Sequence, residues 1–233
     1  MRKLRKCCLL PLLALAGTVS YAQIPKPDTL GSVIILKITP LALFDLDNTV
    51  QLGVEVPLKN PAWTLQQELG YGHSAINLWY SERQRYPDRE TWRFRTQIRY
   101  YFLKQNRNSP YMAGEYLLKK NSEERYEAVG MDCATDRFGG RNCAYFQNRS
   151  VHLARFVNAF HLKLGWQFSI GERMSFDTYV GGGIRALRVK YVGLPSNSFF
   201  NGRRDFLTFR NDWPGRYGPT PSLSAGFHLG YRL

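Results

Sequence analysis

From Ile34 to Leu233 apolar side chains recur at every second residue, the period that places neighbours on opposite faces of a β-strand. The pattern recurs about eight times. Val50, Leu52, Val54, Val56 and Leu58 share one face while Gln51, Gly53 and Glu55 share the other. Ile34, Leu36 and Ile38 oppose Lys37 and Thr39, and Pro40, with no N–H to donate, suits the rim end of that strand. Trp63, Leu65, Leu69 and Tyr71 oppose Thr64, Gln66, Glu68 and Gly70, with Gln67 interrupting the apolar face. Trp92, Phe94, Thr96, Ile98, Tyr100 and Phe102 alternate with Arg93, Arg95, Gln97 and Arg99. Weaker or equal patterns follow around Met112–Leu118, Phe156–Phe168, Met174–Ile184 and Leu223–Leu233; Asn158 falls on the apolar face, which suggests a bulge or a rim position there.

Soluble sandwiches and barrels alternate too, so the polar face has to decide. It carries full charges of both signs interleaved with glycine, while the other face is aromatic and aliphatic. Both are satisfied if the strands close into a ring with the apolar side in lipid and the charged side in a narrow lumen. Connector lengths agree. The links around Lys59–Pro61, Gln105–Asn108 and Ile170–Arg173 are brief, whereas those over Asp45–Thr49, Gly72–Glu90, Lys119–Arg149 and Tyr191–Thr220 are longer. The predicted fold is therefore all-β: an eight-stranded antiparallel up-and-down transmembrane β-barrel with short periplasmic turns and long extracellular loops. With no repeat or linker, one barrel domain takes residues 23–233.

Composition narrows the setting. At 44% apolar and 14% aromatic the chain is not disordered, and its longest apolar run is too short for a membrane-spanning helix. Arg2, Lys3, Arg5 and Lys6 precede an apolar stretch, Cys7 to Ala16, and a small-residue site at Ser20–Ala22, so residues 1–22 read as a cleaved signal peptide; an uncleaved anchor is the alternative. The net charge of +14 survives loss of that leader as a strong basic excess. In an exported chain this points to lipopolysaccharide phosphates, acidic glycans or an anionic partner surface, and not to nucleic acid. Cys133 and Cys143 flank a short Gly-containing segment and are expected to form a disulfide; zinc would need two further ligands that no nearby His or Cys supplies at the usual spacing.

The segments Leu36–Leu41, Val50–Glu55, Glu68–Gly72, His161–Gln167, Asp177–Arg185 and Gly230–Leu233 carry a resemblance to small bacterial outer-membrane β-barrels of the eight-stranded OmpA/OmpX-like kind. More narrowly, the chain is similar to a family of outer-membrane barrel domains of unknown function from Gram-negative bacteria. The resemblance implies an outer-membrane location and insertion by the barrel-assembly machinery, which reads the terminal strand. It implies no reaction.

Among candidate functional residues, Lys37, Glu55, Glu68, Arg93, Arg95, Arg99, Glu115, Lys163, Asp177, Arg185 and Arg232 share the lumen phase. In an eight-stranded barrel they should pair into a plug of salt bridges, the rival being a narrow gated conduit or small diffusion pore. His161 and His228 share that phase as core hydrogen-bonding groups. Ser150 and His152, two apart on the lipid-facing phase, are the one arrangement suggesting a lipid A-modifying acyl hydrolase, though without an evident carboxylate. Arg188, Lys190, Arg203, Arg204, Arg210, Trp213 and Arg216 lie in the last long loop among aromatics and form a candidate binding surface for lipopolysaccharide, a surface protein or a glycan. No cofactor or metal is expected. The reading is a non-enzymatic barrel with a plugged polar lumen and loops for surface binding or envelope integrity.

Overall fold

The computed structural model describes residues 33–102, 108–137, 140–194, 198–199, 204–205 and 210–233. The expected leader, residues 1–22, lies outside them. Among the described residues are ten strands: β1 (Ile35–Ile38), β2 (Val50–Pro57), β3 (Trp63–His73), β4 (Glu90–Tyr101), β5 (Asn108–Thr135), β6 (Arg141–Ile170), β7 (Met174–Val192), β8 (Arg204–Asp205), β9 (Arg210–Asn211) and β10 (Gly215–Arg232). Strands β1 to β6 each pair antiparallel with the next in sequence, and β10 joins β7 to β1, closing an eight-stranded up-and-down ring. The tiny β8 and β9 pair only with each other. Between β3 and β4 lie a single 3-10 turn, Ser74–Ile76, and a short helix, α1 (Tyr80–Arg85).

The alternation of the sequence maps onto the two sides of the ring in the expected phase. Leu52 is 60% exposed on the outer wall, while Gln51 beside it is 2% exposed inside. Leu36, Phe94, Leu162, Val180 and Leu223 face outward, and Lys37, Glu55, Arg99, Lys163 and Asp177 are buried in the interior. Gln67, the polar intruder on the outer face, is satisfied locally. Its amide donates to the Arg95 carbonyl at 2.7 Å and accepts from Thr96 at 2.9 Å.

Glycines make room for the interior. A Cβ at Gly165 would fall 2.3 Å from the Tyr111 ring directly opposite it, and one at Gly226 would fall 2.6 Å from the Tyr179 hydroxyl. Each glycine thus admits an inward tyrosine from the neighbouring strand. The turn between β6 and β7 uses Gly171 at φ +66°, a conformation that costs glycine little.

Three expectations need correction. Lys119–Arg149 is not a loop: β5 and β6 run 28 and 30 residues and stay in register to Thr135↔Arg141, far beyond the rest of the ring. There is no bulge at Asn158, which pairs regularly with Leu118 and Ala186; the register shifts instead between Tyr217 and Thr220. The link after Tyr191 is shorter than expected, because β7 continues to Val192 and β10 starts at Gly215. Of the brief links, Leu58 N–H donates to the Trp63 carbonyl at 2.9 Å across one, while residues 103–107 lie outside the described residues.

Candidate functional site

The interior near the short turns is filled by one ionic network. Lys37 Nζ on β1 lies 2.5 Å from Glu55 Oε2 on β2 and 2.8 Å from Asp177 Oδ2 on β7. Arg99 on β4 reaches the same Asp177 oxygen at 2.6 Å and Glu55 at 3.4 Å. Tyr101 and Thr64 each donate to Glu55 at 2.6 Å, and Tyr111 donates to Asp177 at 2.6 Å. His228 bridges onward, 3.2 Å from Asp177 and 3.1 Å from Glu68. Gln97 then links Glu68 at 3.0 Å to Glu115 at 2.9 Å, and Lys163 lies 2.5 Å from Glu115. Burying ions is costly unless their remaining lone pairs and protons are also engaged. Here tyrosine hydroxyls, glutamine amides and histidine nitrogens supply that engagement.

Of the residues expected in this plug, Lys37, Glu55, Glu68, Arg99, Glu115, Lys163 and Asp177 are brought together. The others are not. Arg93 turns to Asp45 in the β1–β2 link at 2.5 Å, Arg95 donates to the Tyr179 hydroxyl at 3.1 Å, Arg185 Nε approaches Thr220 at 3.4 Å, and Arg232 donates to Ser169. Gln51, Gln66, Gln97, Tyr101 and Tyr111 are network members that reading by charge alone passed over. Their inward phase was the signal that could have found them.

A second network, absent from the sequence reading, closes the other mouth. Asp212, just before β10, takes Arg155 of β6 at 2.5 Å and Arg125 of β5 at 2.8 Å. Arg155 also reaches Glu123 at 2.8 Å, and Arg89 joins Glu123 at 3.3 Å, Glu82 of α1 at 2.9 Å and Asp47 at 3.3 Å. The Tyr86 ring lies beneath the Arg89 and Arg125 guanidiniums at 3.9 and 4.9 Å. Burial works against ionisation of Asp212, but the Arg155 and Arg125 charges outweigh it and hold the carboxyl below its ordinary range. Between the two networks lies a cavity of about 350 Å³, edged by Arg93, Arg95, Lys119, Arg185, His161 and Ser224.

Ser150 and His152 both sit exposed on β6, but each has a partner of its own on β5. The Ser150 hydroxyl donates to Glu124, and His152 Nε2 lies 2.9 Å from the Ser122 hydroxyl. Cys133 and Cys143 are directly opposed in the β5–β6 hairpin and joined by a disulfide, which leaves no thiolate pair for zinc. In the expected loop surface, Arg188 and Lys190 belong to β7 and Arg216 to β10, so they decorate the barrel wall and not a loop. Arg204 and Arg210 lie on β8 and β9, where only the backbone is described, and Arg203 lies outside the described residues. Trp213 packs its ring 6.1 Å from Phe199.

The ring and its two closures can be set beside known proteins. The profile of a family of proteins of unknown function, DUF3575, matches residues 35–203. The chain belongs to the DUF3575 family. No curated protein and no solved structure matches it. The family match begins at β1 and takes in the strands through β7, together with Lys37, Glu55, Arg99 and Asp177 of the plug. The closing strand β10, with His228, lies past it.

Proposed function

We propose that this DUF3575 member is a non-enzymatic β-barrel of the bacterial outer membrane, plugged along its axis and presenting its long hairpin and loops at the cell surface. One observation carries the reading: the apolar face of the closed sheet is the exposed one, and the ionic face is the buried one. In water such a wall would expose an apolar patch far larger than soluble monomers tolerate, whereas in lipid it is the favoured arrangement. The dimensions fit. On β6 the outward apolar band from Phe156 to Trp166 is roughly 33 Å of strand at about 3.3 Å per residue, or about 25 Å of height at the usual barrel tilt. Aromatic pairs mark both margins, Trp63 with Tyr100 at 4.9 Å and Tyr71 with Trp92 at 4.8 Å.

The two side-chain networks support a structural or surface-binding role over a pore, because each crosses the interior at a different height. Ser150 donates to Glu124 and His152 lies against Ser122, an arrangement that favours the non-enzymatic reading over lipid A acyl hydrolysis. The test is reconstitution of the full chain in vesicles and planar bilayers. A heat-modifiable, protease-protected barrel without steady single-channel conductance is expected. A chain that stays in solution refutes the membrane reading, and steady conductance refutes the plug. Lipid A mass spectra that change with expression of the chain would overturn the non-enzymatic assignment.

A further inference from the structure

One register row of outward side chains runs around the barrel below the long hairpin: Tyr71, Trp92, Lys120, Phe156, Arg188 and Arg216, each directly paired with the next. Lys120, Arg188 and Arg216 are exposed, and among the described residues none of them has an acidic partner within ion-pairing distance. The acid nearest along the wall of β5, Glu124, already accepts from Ser150. Eight residues nearer the short turns, the matching row is Trp63, Tyr100, Met112, Leu164, Val180 and Ala225, which contains no cation. Of these two rows, only the one on the hairpin side carries cations.

Directly beneath Lys120 the wall is hollowed. A groove of about 250 Å³ is lined by Leu69, Trp92, Phe94, Leu118 and Phe156, with Lys120 at its upper edge. Only β6 separates Lys120 from Arg188, so their backbones stand about 10 Å apart, and two long side chains can converge over Phe156 on one anion. Apolar trough and paired cations stand in the order in which a lipid presents its chain and its phosphate.

We propose that this groove binds one phosphorylated lipid of the leaflet on the hairpin side, with an acyl chain along Trp92, Phe94, Leu118 and Phe156 and the phosphate held between Lys120 and Arg188. The site rests on the membrane reading above and adds a ligand class and a location to it. Charge complementarity selects the phosphate-bearing lipid, and the trough selects a lipid over free phosphate.

The test is native mass spectrometry of the full chain in detergent micelles, titrated with dioleoylphosphatidylglycerol, dioleoylphosphatidylcholine or inorganic phosphate. The wild type should retain phosphatidylglycerol about tenfold more tightly than phosphatidylcholine. The double variant K120S/R188S should lose that preference, while K59S, which removes a cation from a turn at the opposite margin, should keep it. No preference in the wild type overturns the site, as does a preference that survives in K120S/R188S or a lipid displaced by equimolar inorganic phosphate. Flotation with vesicles separates the two readings: a chain that floats but shows no preference refutes the site alone, and one that does not float refutes the barrel reading with it.

Discussion

Lys37 places an ammonium where water does not reach, answered by carboxylates from the strands on either side of the seam, Glu55 and Asp177. Removing it leaves Arg99 as the one cation that both acids share. Lys37→Met should therefore destabilise the folded chain by about 3–5 kcal/mol, and adding Glu55→Gln should recover part of the loss; equilibrium unfolding in urea measures both. A second pair of substitutions tests which face is which. Leu223 is 91% exposed on the outer wall, and its neighbour Ser224 borders the interior cavity. In vesicles, Leu223→Arg should cost about 2–4 kcal/mol near the bilayer midplane, and Ser224→Arg much less. Similar losses at the two positions would contradict the assigned faces. Phase is what the sequence could reveal at this scale, because a two-residue period fixes the side of each residue without any knowledge of its partners. It could not reveal that Lys37 meets Asp177, 140 residues away, since that depends on how the ring closes.

At the level of elements, the β5–β6 hairpin shows where reading by hydrophobicity stops. Through the apolar band the two faces of a strand meet different surroundings, so polarity alternates and the strand is legible. Beyond it both faces of the hairpin meet similar, mostly exposed surroundings, as at Asp132, Ala134, Tyr145 and Gln147, so the strand continues while its pattern fades. Glu123, Arg125 and Arg155 could still have been traced as inward residues by carrying the phase of Glu115 and His161 onward. Asp212 pins the segment before β10 to this hairpin through Arg125 and Arg155. Its carboxyl titrates below its unfolded value of about 3.9, so the anchoring is complete above that pH and is lost as pH falls through the lower folded value. Hydrogen-exchange protection around Asp212 and Trp213, taken relative to the intrinsic rate at each pH, should accordingly be constant from about pH 8 to 5 and fall below about pH 4, and Asp212→Asn should show the lowered protection at every pH. The Cys133–Cys143 bridge sits near the hairpin tip, away from the ring contacts. Replacing both cysteines by serine should quicken proteolysis at the tip and shift barrel stability by no more than about 0.5 kcal/mol.

For the molecule as a whole, the closed topology was legible because an up-and-down ring needs nothing beyond strand number, phase and connector length. The outer closure was not, because it joins α1, the β1–β2 link, the hairpin and the segment before β10, which converge only once the ring exists. With both closures in place, the interior should stay silent in planar bilayers across the voltage range the membrane withstands. The ring also has one uneven member. β1 contributes four residues between the much longer β2 and β10, so the first and last strands meet over only Ile35↔Arg232 to Ile38↔Leu229. A cylinder with so narrow a clasp should part there first under load, and Lys37, gripping β2 and β7 from within that clasp, ties the two sides of the opening together.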